Sequence, residues 1–170
     1  EVAGIQVGTQ VVKQTNINNE ICVEVKTKVT IGLGIRYDLE YFQKAIFKDG
    51  FLQHSNVTIT KNGKPYSETS TRWTGQYYLI IVDGKESRIQ NKIHYSGTLS
   101  YFLEPTNYKY RYSESRGTLE PIIKKGAGIY EANNGERHGN NIYYYKNGKL
   151  ERSFIKDSKI KFEVILKNGE

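Results

Sequence analysis

The sequence predicts an all-β protein: a strongly curved antiparallel meander of ten or more strands, forming a barrel or half-barrel, with little helix. Three observations predict it. Long stretches alternate apolar and polar residues with period 2. Asp-Gly or Asn-Gly pairs separate them at Asp49-Gly50, Asn62-Gly63, Asp83-Gly84 and Asn147-Gly148, the dipeptides that suit two-residue type I′ hairpins. The composition holds 14 Tyr, 6 Phe and 1 Trp, and Tyr, Val, Ile and Thr suit pleated, half-buried surfaces. No window carries a 3.6-residue period.

A first strand opens at Gly4-Ile5-Gln6-Val7-Gly8 and runs to about Gln14, with Thr15 to Asn19 as a polar turn. Glu20 to Ile31 puts Ile21, Val23, Val25, Val29 and Ile31 on one face. Cys22, Glu24, Lys26 and Lys28 fall on the other. Gly32-Leu33-Gly34 turns the chain. Ile35 to Lys48 alternates again and ends at Asp49-Gly50. Phe51 to Lys61 and Lys64 to Thr74 form the next hairpin, with Pro65 at a strand start, where proline is tolerated. Gln76 to Val82 and Lys85 to Tyr95 form another. Short strands follow at Ile129 to Ala132, Asn141 to Lys146, Lys149 to Ile155 and Lys159 to Leu166. The loop Asn133 to Asn141 is polar. So many strands expose edges, and curling hides them. No linker or second composition appears, so residues 1–170 read as a single domain.

The segment from Gly97 to Pro121 breaks this rhythm. Pro105 and Pro121 bracket it, and proline lacks the N–H that a strand ladder needs. Tyr108, Tyr110 and Tyr112 are expected on one face of a strand lining the concave side of the sheet. Lys109 and Arg111 are expected on the other. The candidate binding residues are Tyr101, Glu104, Tyr108, Tyr110, Arg111, Tyr112, Ser113, Glu114 and Arg116. Aromatics beside basic groups stack on bases or sugars, but period 2 alone also makes a Tyr ladder facing a core. Glu104 and Glu114 have the chemistry of a glycosidase acid–base pair. The alternative is that Glu114 pairs with Arg111 or Arg116, and that Glu104, Ser113, Glu114 and Arg116 hold the surrounding loops. Tyr143-Tyr144-Tyr145 must place a tyrosine on each surface of its strand.

Other chemistries find no pattern. His54, His94 and His138 sit in no metal-binding motif, and no catalytic residue, metal or cofactor is expected. No G-x-S-x-G elbow or phosphate loop occurs. Cys22 is the one cysteine, so no internal disulfide forms. It is expected on a polar strand face as a free thiol without a catalytic role. Net charge is +7, but the lysines are scattered singly or in pairs such as Lys124-Lys125, as on a solvated face, and nucleic acid is not expected as a partner. No apolar run approaches the ~18 residues of a membrane span. The start at Glu1-Val2-Ala3-Gly4 without Met suggests a processed N-terminus, hence a secreted or periplasmic location.

Ordered motifs carry a resemblance along nearly the whole chain. They are Gly4-x-x-Val7-Gly8, Phe47-x-Asp49-Gly50-x-Leu52 and Ser100-Tyr101-Phe102-x-Glu104-Pro105. Tyr112-Ser113-Glu114 with Gly117, and Asn141-x-Tyr143-x-Tyr145-x-Asn147-Gly148-x-Leu150, complete the set. Together they resemble a domain-of-unknown-function family of small secreted or periplasmic all-β proteins, many from Bacteroidetes-type bacteria. The resemblance implies an exported β-protein with no established activity. More distantly the chain is similar to the half-barrels of lipoprotein carriers, without their plugging helices. The expected function is a non-enzymatic binding or scaffold module of the envelope. A carrier of an apolar acyl ligand, and a glycan-acting hydrolase using Glu104 and Glu114, are the alternatives.

Overall fold

The computed structural model describes residues 6–33, 35–133, 135, 139–156 and 161–167. Its regular structure is almost wholly strand, arranged as two sheets. The first is a seven-stranded meander in chain order: β1 (Gly8–Ile17), β2 (Glu20–Leu33), β3 (Ile35–Lys48), β4 (Phe51–Lys61), β5 (Lys64–Trp73), β6 (Tyr78–Val82) and β7 (Lys85–Ile89). The second holds β8 (Tyr110–Ser113), β9 (Thr118–Gly126), β10 (Ile129–Asn133), β11 (Asn140–Lys146), β12 (Lys149–Lys156) and β13 (Lys161–Ile165), also as a meander. All paired strands are antiparallel. The expected antiparallel meander is present as two sheets, and neither closes into a barrel among the described residues. The chain leaves the first sheet after Ile89 and crosses between sheets before Tyr110, with one 3-10 turn at Leu99–Tyr101.

Turn chemistry sets the registers. Asp49, Asn62, Asp83 and Asn147 all have positive φ, as do the glycines after them, as type I′ requires. The first hairpin uses Asn18-Asn19, with φ of 49° and 63°. Asn enters this left-handed region readily, so the turn is two residues long and β1 runs on through Thr15 to Ile17. The expected turn at Gly32-Leu33-Gly34 includes Gly34, which lies outside the described residues, as does His138.

The two faces of the first sheet follow the alternation. Val23, Val25, Ala45, Phe47, Leu52, Val57, Tyr78 and Ile80 are buried. On the opposite face, directly opposed residues form ion pairs: Glu20–Lys48 and Glu24–Lys44 at 3.1 Å, and Lys28–Glu40 at 2.9 Å. Exposed pairs of this kind hold register more than they add stability. Cys22 lies on this face, half-buried and free.

Proline is expected where a sheet is interrupted or edged, and Pro121 sits at such an edge within a strand. It lies inside β9, opposite Tyr110. Ile122 donates its N–H to Lys109, so the nitrogen of Pro121 points the other way, toward β10. The β9–β10 register stops at Ile122↔Ala132, leaving no ladder bond for Pro121 to miss. β9 itself was not expected from the sequence.

The β8–β9 loop ends at Gly117, with φ of 67°. A Cβ there would lie 2.6 Å from Ile80 Cγ2 and 3.0 Å from Val82 Cγ2. Gly117 thus lets the loop press onto β6. Gly117→Ala is expected to cost about 2–3 kcal/mol through strained φ and overpacking, read from the urea midpoint at unchanged m. A shift of less than ~0.5 kcal/mol would contradict this contact.

Candidate functional site

The segment 93–120 is the bridge between the sheets. Ile93, Tyr95, Leu99 and Tyr112 are buried in one cluster with Val23, Val25, Ala45, Phe47, Leu52, Tyr78 and Ile80. A second cluster gathers Tyr130, Ala132, Tyr143, Tyr145 and Leu150, and Tyr101 and Ile122 pack against both. Polar groups fix the docking. The Tyr78 hydroxyl donates to Leu52 O at 2.7 Å and accepts from Ile93 N. Leu52 N donates to Ile93 O. Thr71 Oγ1 and the Tyr112 hydroxyl share a bond of 2.6 Å, and Thr69 Oγ1 donates to Ser115 O.

Glu114 is the hub. Its side chain is 2% exposed. Oε1 accepts from Ser96 Oγ at 2.5 Å, Thr98 Oγ1 at 2.8 Å and Thr98 N at 3.1 Å, while Oε2 accepts from Gly97 N at 3.1 Å. A carboxylate with several donors is the strong form of buried hydrogen bond. Gly97 lets it approach closely: a Cβ there would sit 2.9 Å from Oε2 and displace the carboxylate. The bridge is closed in the backbone too: Tyr112 N donates to Tyr95 O, and Gly97 N to Tyr112 O, both at 2.9 Å.

A second polar knot lies at Glu120, 3% exposed. It accepts from Arg111 Nε at 2.8 Å and from Arg116 Nη2. Arg111, 6% exposed, also donates to the Tyr143 hydroxyl and lies 4.8 Å from its ring centre. Burial opposes the Arg111 charge. The Tyr143 oxygen and Glu120 outweigh it and hold its pKa above the usual arginine value.

The expected site residues therefore separate. Glu114, Ser113 and Tyr112 are buried, and Ser113 O accepts from Gly117 N. Arg111 and Arg116 come together on Glu120, not on Glu114. Glu104 accepts from the Tyr130 hydroxyl at 2.8 Å. Half-buried Tyr108 stacks on Tyr95 with ring centres 4.7 Å apart. Tyr101 is half-buried on the 3-10 turn, and Tyr110 is 56% exposed.

The expected faces of this strand are corrected. Period 2 held, but the strand starts only at Tyr110 and both its faces are covered. Arg111 meets Tyr143 on one side, and Tyr112 meets Thr71 on the other. Alternation marks inside from outside only when one face is wet. Glu120 and Tyr143 were missed. The signal for Glu120 was present: the four-residue loop Glu114 to Gly117 sets Arg111 opposite it.

Several tyrosine hydroxyls here are held neutral. Burial pushes Tyr41, Tyr78, Tyr95, Tyr101, Tyr112 and Tyr145 up. Burial, then the bond to Glu104, brings Tyr130 up to about 12. A raised folded pKa gives stability that is complete below the unfolded value near 10. That stability is lost as pH rises through the folded values, about 12 for Tyr130. Titration at 295 nm should therefore show two phases in the native protein, the later one coinciding with unfolding. In concentrated guanidinium a single phase near pH ~10 is expected. A single native phase there would show the hydroxyls to be solvated.

His94 Nδ1 lies 2.7 Å from Gly50 O, and its ring edges against Phe51. No group of three or more metal-ligating side chains occurs among the described residues. No helix among them is long and apolar enough to cross a membrane. Between the tyrosines, Tyr95, Arg111, Ile122, Tyr130, Tyr143 and Tyr145 line a cavity of about 10 Å³, the room of one water.

No curated protein and no solved structure matches the chain. A family model does match, over residues 1–167, and its description is a domain of unknown function, DUF6134. The chain belongs to that DUF6134 family.

Proposed function

We propose that this protein is an exported, non-enzymatic binding or scaffold module that acts through its surface. One observation carries the reading: the inner face of the seven-stranded sheet is packed by the chain's own Ile93, Tyr95, Leu99 and Tyr112. An acyl carrier needs that space for its ligand, since pockets for small molecules are concave and of a few hundred Å³. The two carboxylates offered for glycan hydrolysis are engaged as well. Glu114 is saturated by four donors and Glu104 holds Tyr130. A general acid must reach the proton that it transfers, and a carboxylate 2% exposed has no route to a polysaccharide.

The test is native mass spectrometry of the protein purified from its host envelope fraction. The mass of the bare chain, recovered from that fraction, is expected. A stoichiometric acyl adduct would replace this reading with the carrier. Absence from the envelope fraction would overturn export.

A further inference from the structure

We propose that β1 pairs antiparallel with β1 of a second copy of this chain, in a register centred on Val12, joining two seven-stranded sheets into one. The argument begins at the sheet edges. A bare edge strand offers a row of unpaired N–H and C=O groups, and proteins guard such edges with brevity, charge or cover. Three of the four edges are guarded. β7 is five residues, with Lys85, Glu86 and Arg88. β13 is five residues, with Lys161 and Glu163. β8 is four residues, and Tyr95 and Gly97 already bond its Tyr112. β1 is different. It is ten residues long, GTQVVKQTNI, with Lys13 its one charge and no proline, and among the described residues it pairs with β2 alone.

The hydrogen-bond phase of β1 is fixed. Thr30 N donates to Val7 O, and Ile17 closes the two-residue hairpin against Glu20. Odd-numbered residues of β1 therefore bond β2. Gly8, Gln10, Val12, Gln14 and Asn16 aim their backbone groups at the open edge, because the two directions alternate.

A two-fold pairing must match these outward residues to one another. Centring on Val12 does so: Val12 meets Val12, Gln10 meets Gln14, and Gly8 meets Asn16. Side-chain faces then also agree, so each sheet's buried face continues into the other's. Val11 meets the partner's Lys13, and the 63% exposed Val11 side chain lies against the lysine stem. The equally long register centred on Lys13 sets Lys13 against Lys13, which like-charge repulsion disfavours. The Val12-centred register is thus the longest that keeps the two lysines apart.

Sedimentation velocity over a concentration series tests this on the whole chain. The wild type is expected to be a concentration-dependent dimer. Val11→Lys sets lysine against the partner's Lys13 twice and should raise the dimer Kd about tenfold at low salt. Val11→Glu should lower it by a similar factor. Val12→Pro, whose missing N–H faces the open edge and not β2, should be monomeric with the wild-type circular dichroism spectrum. A wild type that stays monomeric at all concentrations overturns the proposal. So does a dimer whose Kd is the same in Val11→Lys and Val11→Glu. The Val11 pair decides the matter even if Val12→Pro fails to fold.

Discussion

Replacing Glu114 with alanine is expected to destabilise the protein by about 3–5 kcal/mol, against a total of roughly 5–15 for a domain of this kind. The change leaves Ser96 Oγ, Thr98 Oγ1 and the Thr98 N–H without the carboxylate as acceptor, while Gly97 N keeps its bond to Tyr112 O. These groups are dry: Ser96 and Thr98 are 0% exposed. Each buried donor so orphaned costs about 1–3 kcal/mol, with partial relief by water. Glu114→Gln separates charge from shape. Its amide oxygen still accepts at Oε1, but its NH₂ then faces the Gly97 N–H, donor against donor. An intermediate loss, about half that of the alanine, is expected in urea melts. A loss below ~1 kcal/mol for Glu114→Ala would mean that the carboxylate is not holding the bridge.

Glu120→Ala is expected to cost about 3–5 kcal/mol, because it strands the buried Arg111 charge. The pair itself is a different matter. Replacing Arg111 and Glu120 together with Met and Leu removes both charges and keeps the volume, so most of the loss should be recovered. The sequence groups Tyr110 with Tyr108 and Tyr112 on an inward face, but its side chain is exposed. Tyr110→Ala, at a 56% exposed position, should cost less than ~1 kcal/mol, well below Arg111→Ala. A melt in which Tyr110→Ala is the more damaging would restore the original assignment of faces.

The hairpins were legible because their signals are local. Asp-Gly and Asn-Gly demand positive φ, and only a few residues supply it cheaply. Asn18-Asn19 carries the same information in a less familiar pair. The inward set of β2 and β3 was legible because one face is wet. The division into two sheets was not, since nothing local says where a meander stops pairing. Pro105 signals an irregular stretch but not that the stretch crosses the core. Pro121 marks where β9 loses its partner on the β10 side, since the β9–β10 register stops at Ile122↔Ala132. The importance of Glu114 was legible, but its partners were not. They lie 16 to 18 residues away in an unpatterned Ser-Gly-Thr run. The Glu120 knot needed a register across a loop, and Tyr143 needed the second sheet.

The central claim is that segment 93–117 is a fixed part of the core and not a lid over a ligand space. Native-state hydrogen exchange of the Gly97, Thr98 and Tyr112 amides tests it most directly, since these N–H groups bond Tyr112 O, Glu114 and Tyr95 O. The account predicts that all three exchange only with global unfolding, with opening energies equal to those of core amides on β3. Exchange through a smaller, denaturant-insensitive opening shared by these three amides, while β3 stays protected, would show a segment that lifts and would contradict the account.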